Sequence, residues 1–410
     1  MKIGIFGAGI SGISIARMLN GLADVEVLEK NGFIGGIARP KNINGIPYHT
    51  TGGHCFNSKN PEVIDFVFSF LPASKWHKVN RNAKIFFKGK KINYPIEFAI
   101  KEIAAYDEEL AFNIVNDFFN ARDKECSNLE EWFESKFGKT LSREYHVPYS
   151  RKIWATEPSQ MSLEWVEGKL PLPDKKAFFR GLIYKESDNM PHSQFYYPNS
   201  NTMETFIDEM AKGLNIHLNY NINQIEKKEE KWVINKDKEY DIIVSTILLK
   251  DLPKMISGTP KNIIDAAEKL KFNCVSNVLW ETDPIPEDGW MYLPSDKTFL
   301  HKIANIGNFL IPKIDTVSTT EAIGTISKDE MVREGNKFNF LKKPLAYNTS
   351  GPAYVVYDKN YKSSVLLLKK YFDTLGIHLL GRFGEWEYYN MDKCIESAMR
   401  LSEKIKPLLK

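Results

Sequence analysis

The 410-residue chain is 43% hydrophobic and 12% aromatic, enough apolar material for a large core, at a length that suits two to three domains or one elaborated one. Its 55 basic and 52 acidic side chains leave a net charge of +3, too small and too evenly spread to make nucleic acid or an anionic membrane the main partner, while small anions stay open as ligands. Cys55, Cys126, Cys274 and Cys394 show no CxxC spacing, which argues against a zinc site or a disulfide framework and for a reducing cytoplasm, and no apolar run approaches the ~20 residues of a spanning helix, so a soluble protein without membrane insertion is expected.

The chain begins KIGIF, a short buried strand, followed at once by GAGISG and by SISIARMLNGL at helical spacing, with VEVLEK as a second strand. The opening lysine and apolar run could pass for a signal peptide, but the three glycines inside it read better as a dinucleotide fingerprint in its βαβ context. Gly7 permits the tight turn, Gly9 lets backbone N–H groups approach a pyrophosphate, and Gly12 permits close helix–strand contact. Glu29 closes the second strand 22 positions after Gly7, placed for the adenosine ribose hydroxyls and unfavourable to a 2′-phosphate. NAD and FAD both remain open at this point. Gly35 and Gly36 in NGFIGGIARP then form a second glycine pair, which favours FAD because it can bring the chain back over the phosphates and the flavin. The single fingerprint is thereby used, and no separate NADPH site is expected.

Further along, GIPYHTTGGHCFN reads as strand and turn, and KIFFKGKKINYPIE (84–97) as a hairpin turning near Gly89. Runs such as FAIKEIAAY and NLEEWFESKFGK predict an inserted helical domain at 98–199. TMETFIDEMAKGL predicts a helix, and in IHLNYNINQIE the alternation of Ile216, Leu218, Tyr220 and Ile222 predicts a half-buried strand whose backbone near Ile222 contacts adenine. KWVINKDKEYDIIVSTILLKDL predicts a hairpin, an apolar strand and a helix. CVSNVLW and HKIANIGNFLI suggest sheet over the substrate side. The expected fold is α/β: a discontinuous Rossmann-like FAD-binding domain from 1–97, 200–260 and 355–410, the helical domain at 98–199, and an antiparallel-sheet substrate domain at 261–354.

GAGISG with Glu29 and Gly35–Gly36, GGHCFN, KINYPI, YSRKIWATEP, LAYN and finally GRFGEWEYYNMD together resemble the UDP-galactopyranose mutase family, almost from end to end. That resemblance implies a cytoplasmic, FAD-dependent isomerase that interconverts the pyranose and furanose forms of a UDP-sugar through an adduct at N5 of the reduced flavin, for cell-surface polysaccharide of the lipopolysaccharide type. Homodimers are common in that family, and no metal is implied. It further implies that Lys30 joins the glycines in holding FAD, that His54 lies beside the isoalloxazine, that Met391 offers a backbone N–H to it, and that Arg382 stabilises charge on the reduced ring. Asn93, Tyr149, Trp154, Tyr347, Tyr388 and Asn390 are implied to contact substrate, with Tyr388 and Lys302 taking catalytic roles.

The sequence departs from that family on the diphosphate side. Two arginines clamp the pyrophosphate there, whereas the corresponding positions here hold Gln194 and the pair His301–Lys302, and the aspartate after the matched tyrosine is Asn390. Arg151, Lys152 and Arg180 are candidates for compensation. An FAD-dependent oxidoreductase of the amine-oxidase or protoporphyrinogen-oxidase type stays open as the alternative.

Overall fold

The computed structural model describes residues 1–166, 172, 174–183, 194–285 and 288–409. The strand Lys2–Phe6 is buried from Ile3 onward and sits at the middle of a five-stranded sheet in the order Ile377–Leu379, Ile242–Ser245, Lys2–Phe6, Asp24–Leu28, Ile216–His217, with every pairing parallel. Parallel strands are covered on both faces, which is why KIGIF and IIVS are nearly continuous apolar runs. The helices Ile10–Leu19 and Met391–Ile405 pack together on one face. Across the other, Trp232, Ile234 and Tyr240 of a three-stranded antiparallel sheet (Ile225–Lys228, Lys231–Ile234, Lys238–Tyr240) join Phe6 and Ile243 in one apolar cluster.

The strand expected through Ile222 ends at His217. Asn219 adopts a positive φ of 57° and leaves Leu218 exposed. The Asn219 and Tyr220 N–H groups donate to the carbonyls of Asn31 and Glu29, at 3.1 and 2.9 Å. The chain therefore turns alongside Glu29–Asn31 instead of extending the sheet, and the apolar alternation reflects contacts with a loop.

A seven-stranded sheet runs Leu341–Val356, Lys271–Thr282, Val317–Ile323, Leu300–Ala304, Trp290–Tyr292, Ala83–Phe87, Lys90–Asn93. Its pairings are antiparallel except Trp290–Tyr292 with Ala83–Phe87. The hairpin read at 84–97 thus forms, yet it joins the seven-stranded sheet and not the five-stranded parallel one with which the expected domain division groups residues 1–97.

Helices Glu108–Asn120, Leu129–Phe137 and Val147–Trp154 build a core of their own with Ile85 and Ile92 of that hairpin. Asp107 and Asn128 start two of them by accepting the N–H of Leu110 and Glu131 at 3.0 Å each, which satisfies donors that a helix terminus leaves free. Of the segment 98–199, residues 167–171, 173 and 184–193 lie outside the described residues, and Gln194–Pro198 is a strand paired with Trp76–Asn80. Among the described residues no helix is long and apolar enough to cross a membrane, and no cluster of His, Cys, Asp or Glu could hold a metal ion.

Candidate functional site

A cleft of about 1210 Å³ runs from the first glycine turn, past the loop Thr50–Cys55, to the helical core. Its floor is the opening turn. Gly7 has φ +96° and its N–H donates to the Leu28 carbonyl at 2.8 Å. A Cβ on Gly12 would fall 1.9 Å from the Gly7 carbonyl oxygen, whereas one on Gly9 would meet nothing within 4 Å. Gly12 is therefore required by contact, and Gly9 by whatever occupies the open side. Gly35 donates to the Ala8 carbonyl at 2.7 Å and Gly36 lies against Gly9, so the second glycine pair does fold over the first. Glu29 is buried, with Oε2 accepting the Ala8 N–H (2.7 Å) and Oε1 that of Asn31 (2.9 Å). Oε1 also accepts from the Asn31 side-chain amide at 2.7 Å, so Oε2 is the oxygen that retains a lone pair for a further donor. Lys30, exposed, and Ile222, buried, line the same end.

The last segment closes the cleft against this turn. A Cβ on Gly381 would lie 2.0 Å from Ser11 Oγ. Glu385 fastens the segment by accepting from the Gly381 N–H and the Ser397 hydroxyl, at 2.7 and 2.6 Å. The Arg382 guanidinium lies 4.6 Å from the Tyr388 ring centre and 5.2 Å from that of Tyr354, two rings stacked at 5.8 Å, with Trp154 edge-on to Tyr388 at 5.7 Å. Arg382 Nη1 donates to the Tyr389 carbonyl at 3.3 Å. Among the described residues its Nε and Nη2, and His54 Nε2, are buried without a hydrogen-bond partner. Burial, with Arg382 adding, pushes His54 down to about 4, so its ring is neutral at pH 7. Met391 begins the final helix and Asn390 precedes it, both on the cleft.

Lys302 lines the cleft beside Gly52, but its ammonium is 2.9 Å from Glu321 Oε1 on the neighbouring strand. The same oxygen receives His301 Nε2 at 3.0 Å and the Tyr354 hydroxyl at 3.2 Å. Burial alone would raise the Glu321 carboxyl, yet Lys302 and His301 hold it far below the carboxylate range. Glu321 was not anticipated. Its signal is an acid inside the otherwise buried strand VSTTEAI, since a fully buried carboxylate needs a partner.

At the far end Tyr149 stacks on Tyr145 (5.5 Å) and meets Tyr292 edge-on (5.8 Å). Glu97 and His146 face one another at 3.3 Å, the imidazole packing against both Phe133 and Phe137. Burial raises Glu97 to about 8 and lowers His146 to about 3, so both are held neutral. Arg81, also unanticipated, lines the cleft between these two ends.

Several expected residues are placed elsewhere. The Tyr347 hydroxyl donates to the Ile326 carbonyl at 2.5 Å, off the cleft, and Tyr354 takes the cleft position on the same strand. Asn93 bonds Glu102 through its amide and its backbone N–H, tying the hairpin to the helix Ile100–Ala104. Arg151 pairs with Glu157, and Lys152 donates to the carbonyls of Leu293, Ser295 and Leu300. Neither they, nor Arg180, nor Gln194 borders the cleft.

The open face at Gly9, the acceptor at Glu29 and the unpaired donors of Arg382 fit a dinucleotide carrying a flavin. Residues 5–70 match the family model of an NAD(P)-binding Rossmann-like domain. In sequence the chain is 22% identical to the UDP-galactopyranose mutase of Mycoplasma genitalium, over 98% of this chain and 94% of that one. In structure it superposes on reduced UDP-galactopyranose mutase with a TM-score of 0.87 at 20% identity, covering 99% of this chain and 94% of the other. A protein from Exiguobacterium sp. 255-15 provisionally named protoporphyrinogen oxidase gives 0.77 at 15% identity, covering 99% of both chains. The resemblance to the mutases thus extends over the whole chain in sequence and in fold, and the wider fold also carries proteins named for other chemistry.

Proposed function

We propose that this protein is an FAD-dependent mutase that interconverts the pyranose and furanose forms of UDP-galactose or a related UDP-sugar. The observation that carries this reading is the convergence of three buried, unpaired polar atoms, His54 Nε2 with Arg382 Nε and Nη2, on a cleft whose floor is a complete dinucleotide turn. FAD, when bound and reduced, supplies an electron-rich ring nitrogen able to act as a nucleophile toward the sugar. The remaining tasks belong to the chain. Gly9 and the first turn of Ile10–Leu19 receive the cofactor pyrophosphate, and Glu29 takes ribose hydroxyls. Arg382 places a fixed positive charge where negative charge develops, and the neutral imidazole of His54 offers a hydrogen bond without a competing charge. Tyr354, Tyr388, Trp154 and Tyr149 line the approach with apolar surface, which excludes water and strengthens each of these interactions. From the resemblance we extend the reading to a cytoplasmic enzyme whose product serves cell-surface polysaccharide of the lipopolysaccharide type.

The test is anaerobic. Purified protein with its flavin is reduced with dithionite and mixed with UDP-galactose, and the sugar nucleotide is chromatographed. Isomer formed only after reduction, with no oxygen consumed, is the expected result. The Lys302–Glu321 pair favours a second reading: the lysine at the clamp position is already neutralised, as suits a flavin oxidoreductase acting on a different substrate. Absence of conversion, with oxygen consumption on another substrate, would establish that alternative.

A further inference from the structure

We infer that Arg81 is the anion anchor of the cleft, its guanidinium taking a phosphate oxygen of the substrate between the flavin end and the aromatic end. Naming that anion as the diphosphate of a nucleotide sugar rests on the proposed function; the anchor itself rests on what surrounds Arg81.

The guanidinium lies against two ring faces, Tyr94 at 5.3 Å and Trp290 at 5.4 Å, and Nη2 donates to the Tyr292 hydroxyl at 2.5 Å. Among the described residues no carboxylate pairs with it, and its Nε is buried without a hydrogen-bond partner. A guanidinium cannot shed its charge, and aromatic faces with one phenol make an incomplete shell for a cation withdrawn from water. The unpartnered Nε and the uncompensated charge therefore call for an anion, and the cleft is where one can enter.

Its place along the cleft is the second ground. Trp290 borders the loop that carries His54, since a Cβ on Gly53 would lie 3.7 Å from the indole nitrogen. Tyr292 touches Tyr149 at the other end. Arg81 thus stands between the residues assigned to the flavin and Tyr149 at the aromatic end of the substrate approach, an interval suited to a diphosphate. Of the other cations, Lys30 and Arg382 are placed with the cofactor, and the rest fail on position or on charge. Lys302 is paired with Glu321, Lys41 donates to the Asn348 side-chain oxygen at the exposed rim, and Arg151, Lys152 and Arg180 are not on the cleft. A planar fork held between rings also supplies the bidentate geometry that a lysine cannot.

The experiment uses FAD-loaded protein and calorimetric titration with UDP, inorganic pyrophosphate and uridine, for the parent, Arg81→Gln and Arg81→Lys. Arg81→Gln is expected to weaken UDP and pyrophosphate at least tenfold, to leave uridine unchanged, and to flatten the salt dependence of UDP binding. UDP and pyrophosphate bound equally by parent and Arg81→Gln would overturn the inference, as would a parent that binds neither. Flavin content and melting temperature show whether Arg81→Gln is folded. If it is not, Arg81→Lys decides: UDP affinity at least threefold weaker supports the guanidinium anchor, and unchanged affinity removes it. Arg81-dependent pyrophosphate binding without conversion of UDP-galactose would retire the mutase reading alone; conversion with Arg81-independent binding would retire the anchor alone.

Discussion

Lys302 and Glu321 illustrate a charge whose role is set by its nearest neighbour. Removing one member of a buried pair leaves the other uncompensated, at a cost of about 3–5 kcal/mol. Lys302→Met should therefore lower the thermal midpoint markedly, and adding Glu321→Gln in the same chain should restore most of the loss, because the amide can still accept from His301 and Tyr354. A double variant as unstable as the single one would show that Lys302 acts through something other than Glu321. The sequence signalled Lys302 as a site residue but gave it the wrong surroundings, since its partner lies nineteen positions away on another strand. The place of Arg382, His54, Tyr388 and Met391 on the cleft was legible because glycines and aromatics mark where the chain must come close to something. Tyr347 was not separable from Tyr354. In an alternating strand LAYN sends neighbours to opposite faces, and an irregular stretch at 350–354, where Ser350 and Tyr354 face Val275 and Asn273, sets which tyrosine reaches the cleft. Arg81 had no local signal, because its meaning comes from ring faces contributed by Tyr94 and Trp290.

At the scale of elements, the opening strand–turn–helix separates two uses of glycine that sequence treats alike. Gly12→Ala drives a methyl into the Gly7 carbonyl, an overpacking that costs about 1–3 kcal/mol or more and should lower the melting temperature even of the FAD-free protein. Gly9→Ala meets no protein atom at φ −75°, an ordinary backbone angle. It should melt like the parent without FAD yet lose most of its flavin occupancy, because the methyl enters the space left for the pyrophosphate. Equal flavin content in Gly9→Ala and parent, read from the visible spectrum, would contradict that placement of the cofactor. This element was fully legible, since strand, glycines, helix and acid follow one another within thirty residues. The hairpin at 83–93 was legible as a hairpin only. Its pairing with Trp290–Tyr292 joins segments about two hundred residues apart, and a period-2 pattern specifies a strand without specifying its neighbour.

Across the whole molecule, buried histidines join its parts and make the fold acid-sensitive. His49 Nε2 bonds the Tyr197 hydroxyl at 2.9 Å, its Nδ1 receives the His54 N–H at 3.3 Å, and its carbonyl accepts from Asn277 at 3.1 Å, so one residue ties the loop before His54 to two different sheets. Both ring nitrogens being engaged, a second proton would displace the His54 bond. Burial pushes His49 and His146 down to about 3 and His54 to about 4, and lowers His301 despite Glu321. Above about pH 6.5 these groups are neutral folded or unfolded and cost nothing. Below it the unfolded chain gains protons that the folded one refuses, so stability falls as pH drops toward 4, by about 1.4 kcal/mol per group and pH unit once the unfolded form is protonated. Glu97 works in the opposite sense. Raised to about 8, it stays protonated in the fold while the unfolded carboxyl ionises above about 4.5, so its contribution is lost as pH rises from 4.5 to 8. Glu26 and Glu321, both lowered, enter only below about 4.5. His378 is lowered by burial as well, so five histidines outweigh one glutamate below 6.5, and Glu97 works against stability from 6.5 toward 8, which puts the maximum of thermal stability near pH 6.5. His49→Gln should shrink the fall in melting temperature between pH 6.5 and 5, and Glu97→Gln should remove the smaller fall between 6.5 and 8. A parent protein that melts higher at pH 5 than at 6.5, or a His49→Gln profile parallel to the parent's on the acid side, would mean that the buried imidazoles do not govern how the parts hold together.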